Sequence, residues 1–183
     1  DGDTVLVKPG EYVITEPVNF NRLHNPDDPA SPPVKNIVVR SEGGADVTTI
    51  RMAQTPADSG RASVVIFENG EGTASAIEGV TLGEGKGTKW GSDWWQSGGG
   101  GILCINGSSP TIASCTISGN STDCGGGANC YHSSPTFNKC TISGNWASLP
   151  INSSQGGLGG GLFCYNSSPA LTDCTISGNS ADW

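Results

Sequence analysis

From Gly98 onward the apolar positions fall in short runs closed by glycine, proline or asparagine. Three segments align: GGGILCINGSSPTIASCTISGN, GGGANCYHSSPTFNKCTISGN and GGGLFCYNSSPALTDCTISGN. Within them, ILCI and PTIASCTI alternate with a period of two, so each reads as strand rather than helix. Ile102 shares a face with Cys104, Ala128 with Cys130 and Leu162 with Cys164. In the second run Cys115 shares a face with Ile117, Cys140 with Ile142 and Cys174 with Ile176. The pattern predicts strands of about three to five residues separated by tight corners, with no stretch long enough for a useful helix.

The hexapeptide CTISGN recurs unchanged at 115–120, 140–145 and 174–179. The extra residues before the third copy all fall in WASLPINSSQGGL, between one SGN and the next GGG. A period of roughly 20–30 residues that admits insertion at one fixed corner predicts a solenoid. Stacking in register, about 4.8 Å per coil, would make ladders of identical residues: Cys104, Cys130 and Cys164 in one, Cys115, Cys140 and Cys174 in another. These cysteines are expected as small, buried, reduced fillers, with one stacked disulfide as the alternative and Cys124 left in a turn. Gly119, Gly144 and Gly178 are expected to allow the corner. Asn120, Asn145 and Asn179 form a third ladder, expected to tolerate a left-handed backbone there.

The first half carries the same plan in degraded form. DTVLVKPGEY, KNIVVRSEGG, SVVIFENGE and IEGVTLGEG read as strands ending in Gly-bearing corners, and VTLGEG mirrors TISGN. LHNPDDPASPP and EGKGTKWGSDWWQS are expected as excursions rather than core. The expectation is one all-β domain over 1–183 of about five coils, with degenerate N-terminal coils over 1–97 and three regular repeats over 98–183. Opening at Asp1 with no signal-like segment, it reads as a processed or excised piece.

Composition narrows the partners. The 183 residues include 28 Gly, only 34% are hydrophobic, and the net charge is -8. Such a balance argues against nucleic acid or an anionic membrane as the main partner, and no apolar run approaches the ~20 residues of a membrane helix. Beyond residue 100 the charged side chains are Asp123, Asp173, Asp182 and Lys139 alone, leaving a neutral Ser/Thr/Asn/Gly surface.

DGDTVLVKPGEY, KNIVVRSEGG and the GGG..C...SSPT...CTISGN repeats resemble the secreted right-handed parallel β-helix repeat proteins of environmental bacteria, in the pectate-lyase-like solenoid superfamily. That resemblance implies the right-handed parallel β-helix fold and an extracellular or cell-surface location, but it spans enzymes, adhesins and tailspikes alike. A lyase would need a basic residue and Ca²⁺-holding carboxylates, whereas the repeats offer only Lys139. A glycosidase would need paired carboxylates, yet Asp123 and Asp173 fall at different corners, and Asp27 and Asp28 lie in a Pro-rich excursion. No catalytic residue is assigned. His24 and His132 have no ligand-spaced partners, so neither metal nor cofactor is expected. The leading reading is a non-enzymatic structural or binding module. The alternative is a fragment of a polysaccharide lyase or glycoside hydrolase.

The outward positions give the best functional lead. Ile105, Tyr131 and Tyr165 are expected on one outer strip, flanked by Leu103, Asn129 and Phe163, and Trp146, Trp183 and the loop with Trp90, Trp94 and Trp95 add further rings. Aromatic faces among neutral hydroxyls and amides suit sugar rings, although these rings could equally pack under the WGSDWWQS loop. The glycan-contact candidates are therefore Tyr131, Tyr165, Phe163, Trp146, Trp94 and Trp95. Four Asn-X-Ser/Thr sequons, at Asn106, Asn120, Asn152 and Asn166, are candidate glycosylation sites. The final repeat keeps interior-type Cys, Ile and Asn positions, so head-to-tail self-association is a further expectation.

Overall fold

The computed structural model describes residues 2–93, 96–148 and 157–182. Three parallel sheets run the length of a solenoid, and no helix occurs among the described residues. The first face stacks six strands, Asp3–Val7, Ile37–Ser41, Ala76–Glu78, Thr111–Ala113, Thr136–Asn138 and Ala170–Thr172. The second stacks another six, from Gly10–Ile14 through Thr48–Met52, Thr81–Gly83, Thr116–Ser118 and Thr141–Ser143 to Thr175–Ser177. The third face has five, Val18–Asn19, Val65–Phe67, Ile102–Cys104, Ala128–Tyr131 and Leu162–Tyr165. Five coils are thus complete, as the spacing predicts, and the degenerate first half stacks in the same register as the regular repeats.

The interior is a set of ladders. On the first face Val39, Ile77, Ile112 and Phe137 lie in register, and on the second Ile50, Leu82, Ile117 and Ile142 do so. All eight are buried. Each fully buried aliphatic side chain stabilises the fold by about 1.5–3 kcal/mol relative to exposure, so the narrow coil lives on repetition of one well-filled layer. Ladder residues lose cover at the terminal coils: Val5 and Tyr12 at one end, Leu171 and Ile176 at the other, are exposed.

The cysteines occupy the predicted inward phase. Cys104, Cys130 and Cys164 are in register, and Cys115, Cys140 and Cys174 follow Val80 at the entry to the second face. All seven cysteines are free thiols, five of them buried, with Cys174 half-buried and Cys164 exposed on the last coil. The Cys140 thiol donates to Ile112 O at 3.4 Å, as a weak donor with no water to reach. Burial pushes the Cys115 thiol up to about 12 and that of Cys140 to about 11. Because a reagent must reach the sulfur and the thiolate is the reactive form, native alkylation is expected to be confined to Cys174 and Cys164, and to be the slower at Cys164, whose thiol is pushed well up by its hydrogen bond with Cys130 and by burial. Labelling of Cys115 and Cys140 as fast as Cys174, followed by peptide mass mapping, would show that the inward phase is wrong.

Three expectations need correction. PTIASCTI is not one alternating run: Ser114, like Lys139 and Asp173 in the next repeats, has a positive φ of 51°, 54° and 52°. That single left-handed residue turns the chain from the first face to the second, which lets Ile112 and Ile117 both point inward despite their odd separation. The second correction concerns Asn120, Asn145 and Asn179. The left-handed corner belongs to Gly119, Gly144 and Gly178, at φ 66°, 62° and 60°, and the asparagines turn inward instead. Asn120 and Asn145 are 1% exposed. The amide of Asn120 donates to Asn145 Oδ1 at 2.9 Å, and the amide of Asn145 donates to Asn179 Oδ1 at 2.9 Å. Their second amide protons reach the carbonyls of Leu82 at 3.1 Å and Ile117 at 2.9 Å. The ladder therefore satisfies the polar groups that a buried corner would otherwise strand.

The third correction concerns EGKGTKWGSDWWQS. Its Gly87–Lys89 pairs antiparallel with Arg61–Ala62 and with Ser97–Gly98, a small sheet laid against the coil rather than a free excursion. Thr88 is buried there, accepting a hydrogen bond from the hydroxyl of Ser63 at 2.9 Å.

Candidate functional site

The outer side of the third face is apolar along much of its length, since its outward positions are Ile66, Leu103, Ile105 and Tyr131. Exposed, such a strip would be an association hazard. Trp90 packs against this cluster, and Ile66, Leu103 and Ile105 are buried. Leu103 and Asn129, expected as flanks of an open strip, are both fully buried. Tyr131, packed against the same cluster, is half-buried. Trp90 lies 5.9 Å from Tyr131 with the rings tilted at 47°, and Tyr131 stacks on Tyr165 at 5.2 Å and 14°. Tyr165 is 41% exposed.

The stack follows from register. Tyr131 and Tyr165 are direct parallel partners, one strand spacing apart, so two rings in the same rotamer must lie face over face. Phe163, paired with Asn129, is half-buried one pleat away on the same face. His132 adds an edge to both tyrosines, 4.4 Å from Tyr131 at 85° and 5.8 Å from Tyr165 at 71°. It is an exposed corner residue, held at φ 50°. The result is an uncharged aromatic shelf walled on one side by Trp90.

Two polar atoms at this wall are buried without a hydrogen-bond partner, the Trp90 indole Nε1 and Asn129 Oδ1. The Asn129 amide nitrogen donates to Cys124 O at 3.3 Å. Asp123 is held above the usual carboxylate range by burial, opposed by a hydrogen bond from Ser97 and by the charge of Lys89. The chain marks Trp90 as a loop aromatic and Asn129 as a flank of the strip, but not the burial of Asn129 or the packing of Trp90 on the strip, which depend on a tertiary contact.

The remaining candidates separate. Trp146 is 45% exposed, but its strand Trp146–Ala147 belongs to a short sheet with Ser121–Thr122 and Ser180–Ala181, not to the shelf. Trp94, Trp95, Trp183 and the sequon at Asn152 lie outside the described residues. Asn106 and Asn166 are exposed left-handed corner residues at φ 58° and 47°. Asn120 is buried in the amide ladder, and a glycan has no room there in the folded chain. His24 bonds the carbonyl of Pro32 at 2.9 Å. No metal-ligating group of His, Cys, Asp and Glu forms among the described residues, and no helix there is long and apolar enough to cross a membrane.

A family model described as "Right handed beta helix region" matches residues 42–182. The chain belongs to that family. The match covers all three regular repeats and most of the degenerate half, in keeping with the continuous stacking of this β-helix. Neither the curated proteins nor the solved structures contain a match to it.

Proposed function

We propose that this β-helix is a non-enzymatic structural and binding module of the cell surface or extracellular space, and that its aromatic shelf contacts glycans. The observation that carries the reading is the Tyr131–Tyr165 stack, whose outer ring, Tyr165, keeps a solvent-accessible surface. Pyranose rings present C–H faces that pack on aromatic rings, and their hydroxyls find partners among neutral Ser and Asn side chains such as Ser134 and Asn166. The neutrality of the second half favours hydrogen-bonded ligands over ionic ones.

The test is a glycan array followed by calorimetry on the strongest hit. Replacing both rings, Tyr131→Ala with Tyr165→Ala, is expected to weaken binding by at least about tenfold, as lost ring stacking implies. The circular dichroism spectrum should stay that of the parent, since both side chains point away from the core. Absence of any glycan hit, or equal binding by the double variant, would refute the proposal.

A further inference from the structure

Away from the shelf, the first two coils enclose a pair of adjoining cavities that no sequence motif marks. One, of about 290 Å³, is lined by Glu16, Pro17, Asn19, Arg22, Asp58 and Arg61. The other, of about 380 Å³, shares Asn19 and Arg22 with it and continues along Leu23, Pro32, Pro33 and Lys35. Together they make a bipartite cleft, polar at one end and largely apolar at the other.

The polar end is built from paired charges. Arg22 Nη1 donates to Glu16 Oε2 at 3.0 Å. Arg61 forms an ion pair with Glu68, which also accepts a hydrogen bond from Asn19 Nδ2 at 2.8 Å. That bond fixes the orientation of the Asn19 amide, whose Oδ1 is buried without a partner. Asp58 is partly committed to its own turn, accepting from Gly60 N at 2.8 Å.

We infer that this cleft is a second binding site, for a neutral oligosaccharide of at least two rings. A hydroxyl both donates and accepts, so neighbouring hydroxyls on a sugar ring match a carboxylate set beside a guanidinium, donating to one and accepting from the other. An anion finds no uncommitted guanidinium there: the lining carboxylates Glu16 and Asp58 balance Arg22 and Arg61, and each guanidinium already has a carboxylate partner. A cation is opposed by those same guanidinium groups and by Lys35 at the far end. The apolar end, with Leu23, Pro32 and Pro33, offers the C–H face of the next ring a surface to lie on, and the two cavities exceed the room one ring needs.

The site is independent of the shelf, and its test keeps the two apart. Maltose, cellobiose and lactose are titrated at millimolar concentration into the protein, followed by the side-chain amide NMR signals of Asn19 and Asn21. At least one of the three is expected to shift them saturably. Arg22→Ala and Asp58→Ala, both at exposed positions, are each expected to weaken that binding by about tenfold or more, the loss of one charge-assisted hydrogen bond. Tyr131→Ala with Tyr165→Ala should leave it unchanged. No shift with any of the three sugars overturns the inference, as does a response to digalacturonate alone. Loss of the signal in the tyrosine variant but not in the cleft variants also overturns it, by assigning the sugar to the shelf.

Discussion

Gly126→Ala is expected to lower the stability of the folded chain by about 3 kcal/mol, the upper range for overpacking a closed site. A Cβ on Gly126 would meet Gly160 O at 2.4 Å and Trp146 O at 2.6 Å, both of them backbone atoms of neighbouring segments. Neither can swing aside as a side-chain tip would, so relief requires the coils to part and the adjacent ladder bonds to lengthen. For a chain of this length the loss corresponds to a drop in melting temperature of roughly 6–12 °C. Gly119→Ala supplies the contrast. It too is a repeat glycine, at φ 66°, but nothing lies within 4 Å of its Cβ. Its cost is the left-handed backbone alone, about 1–2 kcal/mol, and Glu84 occupies the equivalent corner of the preceding coil at φ 58°. Thermal unfolding of the two variants side by side checks the claim. Equal losses would show that conformational freedom, not the approach of adjacent coils, explains the GGG triplets.

Asn145→Ala should cost about as much by a different route. Its Oδ1 accepts from both the backbone N of Asn120, at 3.1 Å, and the Asn120 side chain, at 2.9 Å, while its amide serves Ile117 O and Asn179 Oδ1. Alanine leaves these groups without partners in a site that is 1% exposed, and each stranded buried group costs about 1–3 kcal/mol. Partial relaxation of the coil brings the expected total to about 3–4 kcal/mol. Asn179→Ala, on the last described coil and only half-buried, should cost about 1 kcal/mol, because water can take over its partners. Urea denaturation of both variants decides it. A loss below about 1 kcal/mol for Asn145→Ala would mean that the ladder adds nothing beyond corner geometry.

The two candidate sites were legible to different degrees. The aromatic shelf could be placed from the chain because Tyr131 and Tyr165 occupy the same position in consecutive repeats, and equal positions in stacked coils become neighbours. Its extent could not. Whether Leu103, Ile105 and Asn129 were open depended on where Trp90 packs, a contact made outside the repeat and governed by no period. The cleft was illegible altogether: Glu16, Asn19, Arg22, Asp58 and Arg61 come from two degenerate coils, and only their stacking brings them to one cavity.

The chain by itself determined the solenoid, its coil count and its inward phase. Alternation selects strands, the repeated Cys and Ile positions choose the buried face, and a fixed insertion corner sets where coils begin, all of which are local rules applied again and again. Tertiary structure decided what happens between coils. Asn120 and Asn145 can bury their amides because neighbouring coils supply the partners, the next ladder asparagine and the carbonyls of Leu82 and Ile117, and Gly126 must lack a side chain because the backbone of another coil passes against it. Ser114 turns left-handed so that two odd-spaced isoleucines can share one interior. These choices depend on the distance between segments 25 or more residues apart in the chain, which hydrophobic periodicity does not encode.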